Sequence, residues 1–163
     1  MLKTFGLIEK VPCWYANDEV KPHYSKDNVD FWWNVPEYTG RDTESIHPPR
    51  PDGKLVYTNA SEKKIFLVEM TVPWTSNRKE KYGYKVGKYV DIQQSLKLEY
   101  PDYQVDQITL VMDVFGGYGR DLVDNIRKVV TDSSTIQSII TNMQKSVIAS
   151  VANMSRTFKI RCK

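Results

Sequence analysis

Cysteine is scarce: 163 residues contain two, Cys13 and Cys162. Two thiols build neither a disulfide framework nor a four-ligand zinc site. They suit a reducing compartment and therefore an intracellular protein. Long hydrophobic runs are missing too. None approaches the roughly 20 residues of a membrane span, and the opening MLKTFGLIEKVPCW has no apolar core of signal-peptide type. A membrane is accordingly not an expected partner. Charge of one sign is also lacking: 23 Lys and Arg against 20 Asp and Glu give +3, which alone is no argument for nucleic acid. His23 and His47 have no ligand-spaced companion and read as surface residues. There is no repeat or low-complexity tract, and no G-x-G-x-x-G follows the first strand, which disfavours a Rossmann fold. What is present, 40% apolar and 26% charged residues, excludes wholesale disorder and is enough for one domain, 1–163, with a core of its own.

Residues 1–29 read as irregular, with a short helix near Ala16–Val20 capped by Asn17 or Asp18. Asp30–Pro36 reads as an aromatic strand stopped by Pro36, residues 37–51 as a loop, and Lys54–Thr58 as a second strand. Asn59–Glu62 is a hairpin connection. Lys64–Val72 is the strongest strand, apolar at Ile65, Phe66, Leu67, Val68, Met70 and Val72, so both faces should be covered. A long helix from about Asn77 to Leu98 follows, with Tyr82, Val86, Tyr89, Gln93 and Leu96 on one face. Next come a strand over Gln107–Phe115, a Gly116-Gly117-Tyr118-Gly119 turn and a helix over Asp121–Val130. A last helix of about 135–155 carries Ile136, Ile139, Ile140, Met143, Val147, Ile148 and Val151. The order implies an α/β fold: a mixed sheet flanked by helices, core at about 30–131, with C-terminal helices appended.

Glu69 stands out. A carboxylate inside a strand covered on both faces costs several kcal/mol, roughly, unless it is paired or binds a metal. A hairpin turn centred between residues 60 and 61 sets Asp52 opposite Glu69. Two facing carboxylates form a hard-cation site for Mg²⁺ or Mn²⁺. Such a cation polarises a phosphoryl oxygen and lowers the pKa of a water. The following helix offers Lys81, Lys85 and Lys88 on one face. Plainer readings stand beside these: Asp52 as a turn aspartate after proline, and Glu69 in an ion pair with a lysine or arginine.

Pro51-Asp52, then Glu69 in an apolar strand, then a lysine resembles the PD-(D/E)XK nuclease superfamily. More specifically, Arg50-Pro51-Asp52, Glu69-Met70-Thr71-Val72-Pro73, Asn77, Lys85-Val86-Gly87-Lys88-Tyr89 and the upstream Trp33-Asn34-Val35-Pro36 resemble the restriction-like endonuclease domain of site-specific non-LTR retrotransposon proteins. The resemblance covers about residues 30–120. It implies a restriction-endonuclease-like fold and metal-dependent hydrolysis of DNA phosphodiesters. It further implies a nick that primes a reverse transcriptase domain in a parent protein, and a nuclear location. It assigns catalysis to Asp52, Glu69 and Lys85, with Lys88 as the alternate lysine; beside it, the metal is expected on Asp52, Glu69 and the Met70 carbonyl, and phosphate contacts on Arg50, Arg78, Lys81 and Lys88. The departures are Thr71 where the lysine usually sits, Glu in place of Asp at 69, Gly53 where an apolar residue is usual, and Gly83 and Gly87 in the helix. A DNA-binding module of this descent that has lost catalysis is the alternative.

Arg78, Lys79, Lys81, Lys85 and Lys88 against Glu80 make either a solvated helix face or a phosphate-contacting one. The Gly116–Gly119 turn is a strand-to-helix connection or a phosphate cradle. Trp14, Trp32, Trp33 and Trp74 read as core rather than as base platforms. The basic tail, Arg156 to Lys163, reads as a solubilising end.

Overall fold

The computed structural model describes residue 3 and residues 6–9, 21–36 and 50–161, with side chains described as far as 157. The helix expected near Ala16–Val20, much of the 37–51 loop, Trp14, His47 and both cysteines lie outside the described residues. Five strands, β1 (His23–Lys26), β2 (Val29–Trp33), β3 (Gly53–Thr58), β4 (Lys63–Thr71) and β5 (Gln104–Val111), form one sheet in the order β1-β2-β3-β4-β5. The first four pair antiparallel. The sheet as a whole is mixed and flanked by helices, as expected of the α/β class. The helices are α1 (Arg78–Lys88), α2 (Val90–Glu99), α3 (Arg120–Arg127) and α4 (Ser133–Arg161). None is long and apolar enough to cross a membrane. Contacts divide the chain into two compact units: residues 1–70 with 83–109, and residues 71–82 with 110–163.

In the first unit, Asn59 builds the β3–β4 connection. Its side-chain oxygen accepts from the Ser61 and Glu62 N–H groups, and its own N–H donates to the Glu62 carbonyl at 2.9 Å. The resulting register runs from Thr58↔Lys63 to Gly53↔Val68, so Asp52 and Glu69 are the next opposed pair. β4 is buried on both faces from Ile65 to Glu69. On one of them Ile65 and Leu67 pack with Tyr89, Ile92, Leu96 and Val105. Glu69 falls on that same face by the two-residue period. The other face explains Gly53. A Cβ there would lie 2.5 Å from the buried Phe31 ring, so the aromatic side chain occupies the space that an apolar residue would fill.

Several expectations need correction. The strand expected over Gln107–Phe115 is Gln104–Val111, and Met70 and Val72 are exposed rather than covered. Residues 23–26 are not irregular: β1 pairs with β2 through a turn at Asp27, whose φ of 52° is left-handed. The long helix is two helices. Asn77 belongs to a 3-10 turn, Thr75–Asn77, and the helical path breaks at Tyr89, where φ is −111° and ψ 17°. α1 buries no residue, whereas α2 buries Ile92 and Leu96.

In the second unit, α4 starts earlier than expected because Asp132 caps it. The carboxylate accepts from the Thr135 N–H at 2.7 Å and from the hydroxyls of Ser134 and Thr135 at 2.6 Å each. These bonds hold the carboxyl's pKa down at about 2. The expected apolar stripe is buried only at its start, at Ile136 and Ile140, while Ile148 is half exposed.

Candidate active site

Asp52 lies just before β3 and Glu69 near the end of β4, so hairpin register alone brings the acids to one place. Asp52 is half-buried. Its Oδ2 accepts the Met70 N–H at 2.7 Å, which locks the carboxylate against the β4 backbone. Burial raises its pKa, the Glu69 charge adds to the rise, and the Met70 N–H, Lys85 and Lys88 only partly offset them.

Glu69 is 2% exposed. One oxygen, Oε1, accepts the Lys85 ammonium; the other, Oε2, is buried and has no hydrogen-bond partner. The Tyr89 hydroxyl sits beside this carboxylate, but its proton goes to the Arg50 carbonyl at 2.9 Å. Burial, followed by a hydrogen-bonding approach to the Glu69 carboxylate and by the Glu69 and Asp52 charges, pushes that phenol far above its ordinary range.

Tyr89 is also why Lys85 arrives here. It is fully buried at the junction of α1 and α2. Its hydroxyl ties that junction to the residue preceding Pro51-Asp52. Lys85 lies one helical turn earlier and so projects towards the same acids. The lysine's own backbone is held as well. Gln107, buried on β5, donates from Nε2 to the Lys85 carbonyl at 2.9 Å and accepts from Gln93 Nε2 at 2.9 Å. The sequence shows Tyr89 on a helix face and at the end of the Lys85–Tyr89 motif without a role of its own, and does not single out Gln107. Tyr89 could have been found as the aromatic closing Lys85-Val86-Gly87-Lys88-Tyr89. Gln107, a polar residue at the start of an apolar strand, carried the same kind of signal as Glu69.

Asp52, Glu69, Met70 and Lys85 are therefore brought together, with Lys88 near enough to act on Asp52. Arg50 is exposed, and the Lys88 ammonium lies 4.8 Å from the Tyr89 ring centroid. Arg78 and Lys81 stand on the first turn of α1, in the second unit. Gly83 and Gly87 have open space where a Cβ would stand, so packing does not require glycine at either position.

The donors suit a hard cation: carboxylate oxygens from just before β3 and near the end of β4, one buried and unshared, beside the exposed Met70. Among the described residues no three His, Cys, Asp or Glu side chains form a ligand group, so further ligands would be carbonyl oxygen and water. Compared with protein-family models, with curated proteins and with solved structures, the chain finds no match.

Proposed function

We propose that the chain is a metal-dependent endonuclease that hydrolyses DNA phosphodiester bonds, a nicking domain of restriction-endonuclease-like fold and retrotransposon type. The observation that carries this reading is the buried Glu69 carboxylate, with one oxygen on Lys85 and the other unshared, set opposite Asp52 by strand register. Mg²⁺ or Mn²⁺ held by Asp52, Glu69 and the Met70 carbonyl supplies charge neutralisation at the phosphate and a water of lowered pKa. Lys85 orients the attacking water and meets the charge that develops on the phosphoryl oxygens. Tyr89 and Gln107 position Lys85. Arg50, Arg78, Lys81 and Lys88 contact backbone phosphates of the DNA.

The test is nicking of supercoiled plasmid by the full chain with Mg²⁺ or Mn²⁺. The expected result is cleavage that chelator abolishes and that falls at least about 100-fold in Asp52→Ala and Lys85→Ala. Cleavage unaltered by both substitutions would overturn the assignment. One observation favours the alternative, a DNA-binding module without catalysis: Lys85 already compensates the Glu69 charge without any metal. DNA affinity without cleavage is the result that module gives.

A further inference from the structure

Trp74 is 63% exposed and Phe115 71%, so the core role expected of Trp74 is not the one it has. Their ring centroids are 6.2 Å apart and their planes 58° apart. The backbone beneath them is fixed. The Val114 N–H donates to the Pro73 carbonyl at 3.1 Å, and the Asn77 N–H to the Trp74 carbonyl at 2.9 Å. Asp113, buried between the two loops, accepts from the N–H groups of Phe115 and Gly117 at 3.0 and 2.8 Å and from the Thr75 hydroxyl. Gly117 is required here, since a Cβ would come 2.5 Å from that carboxylate. The same two loops run on into a cleft of about 340 Å³ lined by Arg78, Lys79, Tyr82, Gly119, Arg120 and Asp121. Three of its residues are cationic and one is acidic. The only ion pair described for Arg120 is a long one, 3.8 Å to Asp124, with both side chains largely in water.

We infer that the loops 72–79 and 113–121 bind single-stranded DNA, its bases stacked on Trp74 and Phe115 and its phosphates held by Arg78, Lys79 and Arg120. An exposed aromatic pair beside a basic cleft matches an unstacked base with its phosphate. In a duplex the base faces are covered by their neighbours and offer such rings nothing. Arg78 also faces Asp113, but an apolar protein partner would still leave Lys79 and Arg120 poorly answered. The inference takes DNA as partner from the nuclease reading above but makes no use of the metal site.

The experiment measures fluorescence anisotropy of a labelled oligothymidylate of about 15 nucleotides with the full chain, in EDTA so that no strand is cut. The single strand should bind more tightly than a duplex of the same length. Trp74→Ala and Phe115→Ala should each weaken it about tenfold or more, and Trp74→Phe should restore most of the loss. Arg120→Ala should lower the slope of log affinity against log salt by about 0.7. Equal affinity of wild type and both alanine variants would overturn the inference, as would absence of binding or equally tight binding of inorganic polyphosphate. Metal-dependent nicking that Trp74→Ala leaves intact, together with unchanged binding, removes this inference and spares the nuclease. Aromatic-dependent binding without nicking does the reverse.

Discussion

Among the described residues, the two compact units each bury one carboxylate to the same depth, Glu69 and Asp113, both 2% exposed. They are built to opposite ends. Asp113 meets two backbone N–H groups, a hydroxyl and the Arg78 charge. Burial alone would raise its pKa, yet those partners together hold it below the ordinary carboxylate value. Glu69 keeps one lysine and leaves an oxygen with nothing. A satisfied buried acid organises a loop. An unsatisfied one is costly to retain, and its unshared oxygen is what a ligand would use.

The largest expected difference follows from removing each acid's partner. Lys85→Met leaves the Glu69 charge buried alone and should cost about 3 kcal/mol in denaturant unfolding. Adding Glu69→Gln should return much of that. If Lys85→Met unfolds no more easily than wild type, the ion pair does not hold Glu69 in place. Asp113→Ala instead takes the acceptor from two part-buried N–H groups and should cost about 1 kcal/mol, with no second-site change at Arg78 able to rescue it. Next in size, Tyr89→Phe should cost about 1 kcal/mol in stability. It should also lower nicking by more than that loss of folded protein explains, because Lys85 is no longer positioned.

Acid sharpens the contrast. The pKa of Asp113 is lowered from 3.8, so its share of stability is complete above that value and drains away as pH falls below it. Asp132 behaves alike, lowered from 3.8 to about 2. Thermal midpoints followed from neutral pH down to about pH 2 should therefore fall less in Asp113→Asn than in wild type, the two converging at the acid end. The smallest effect is local. Asp132→Ala should speed amide exchange in the first turn of α4 and leave the β-sheet amides unchanged.

The sites differ as much in legibility as in chemistry. Asp52 opposite Glu69 could be read from the chain because a short hairpin turn and two-residue alternation leave one register. Asp113 could not, since its partners come from a loop and a 3-10 turn that no periodicity marks. The break at Tyr89 was hidden for a related reason. The helical period of Tyr82, Val86, Tyr89 and Gln93 continues through it, while the bond made at the break, from the Tyr89 hydroxyl to the Arg50 carbonyl, reaches 39 residues away. β1 left a trace in the Asp27-Asn28 turn, but its four polar residues become a strand only by pairing with β2.

Local order therefore belonged to the sequence: the strands of the β3–β4 hairpin, their register, the acid at Glu69 and the basic character of α1. Each follows from neighbours a few residues apart, where turn chemistry and side-chain period act directly. Tertiary structure decided which lysine meets Glu69, which oxygen goes unshared, that Asp113 is satisfied, and that Trp74 faces water. Those outcomes depend on atoms far apart in the chain competing for the same buried space, and no local pattern encodes the winner.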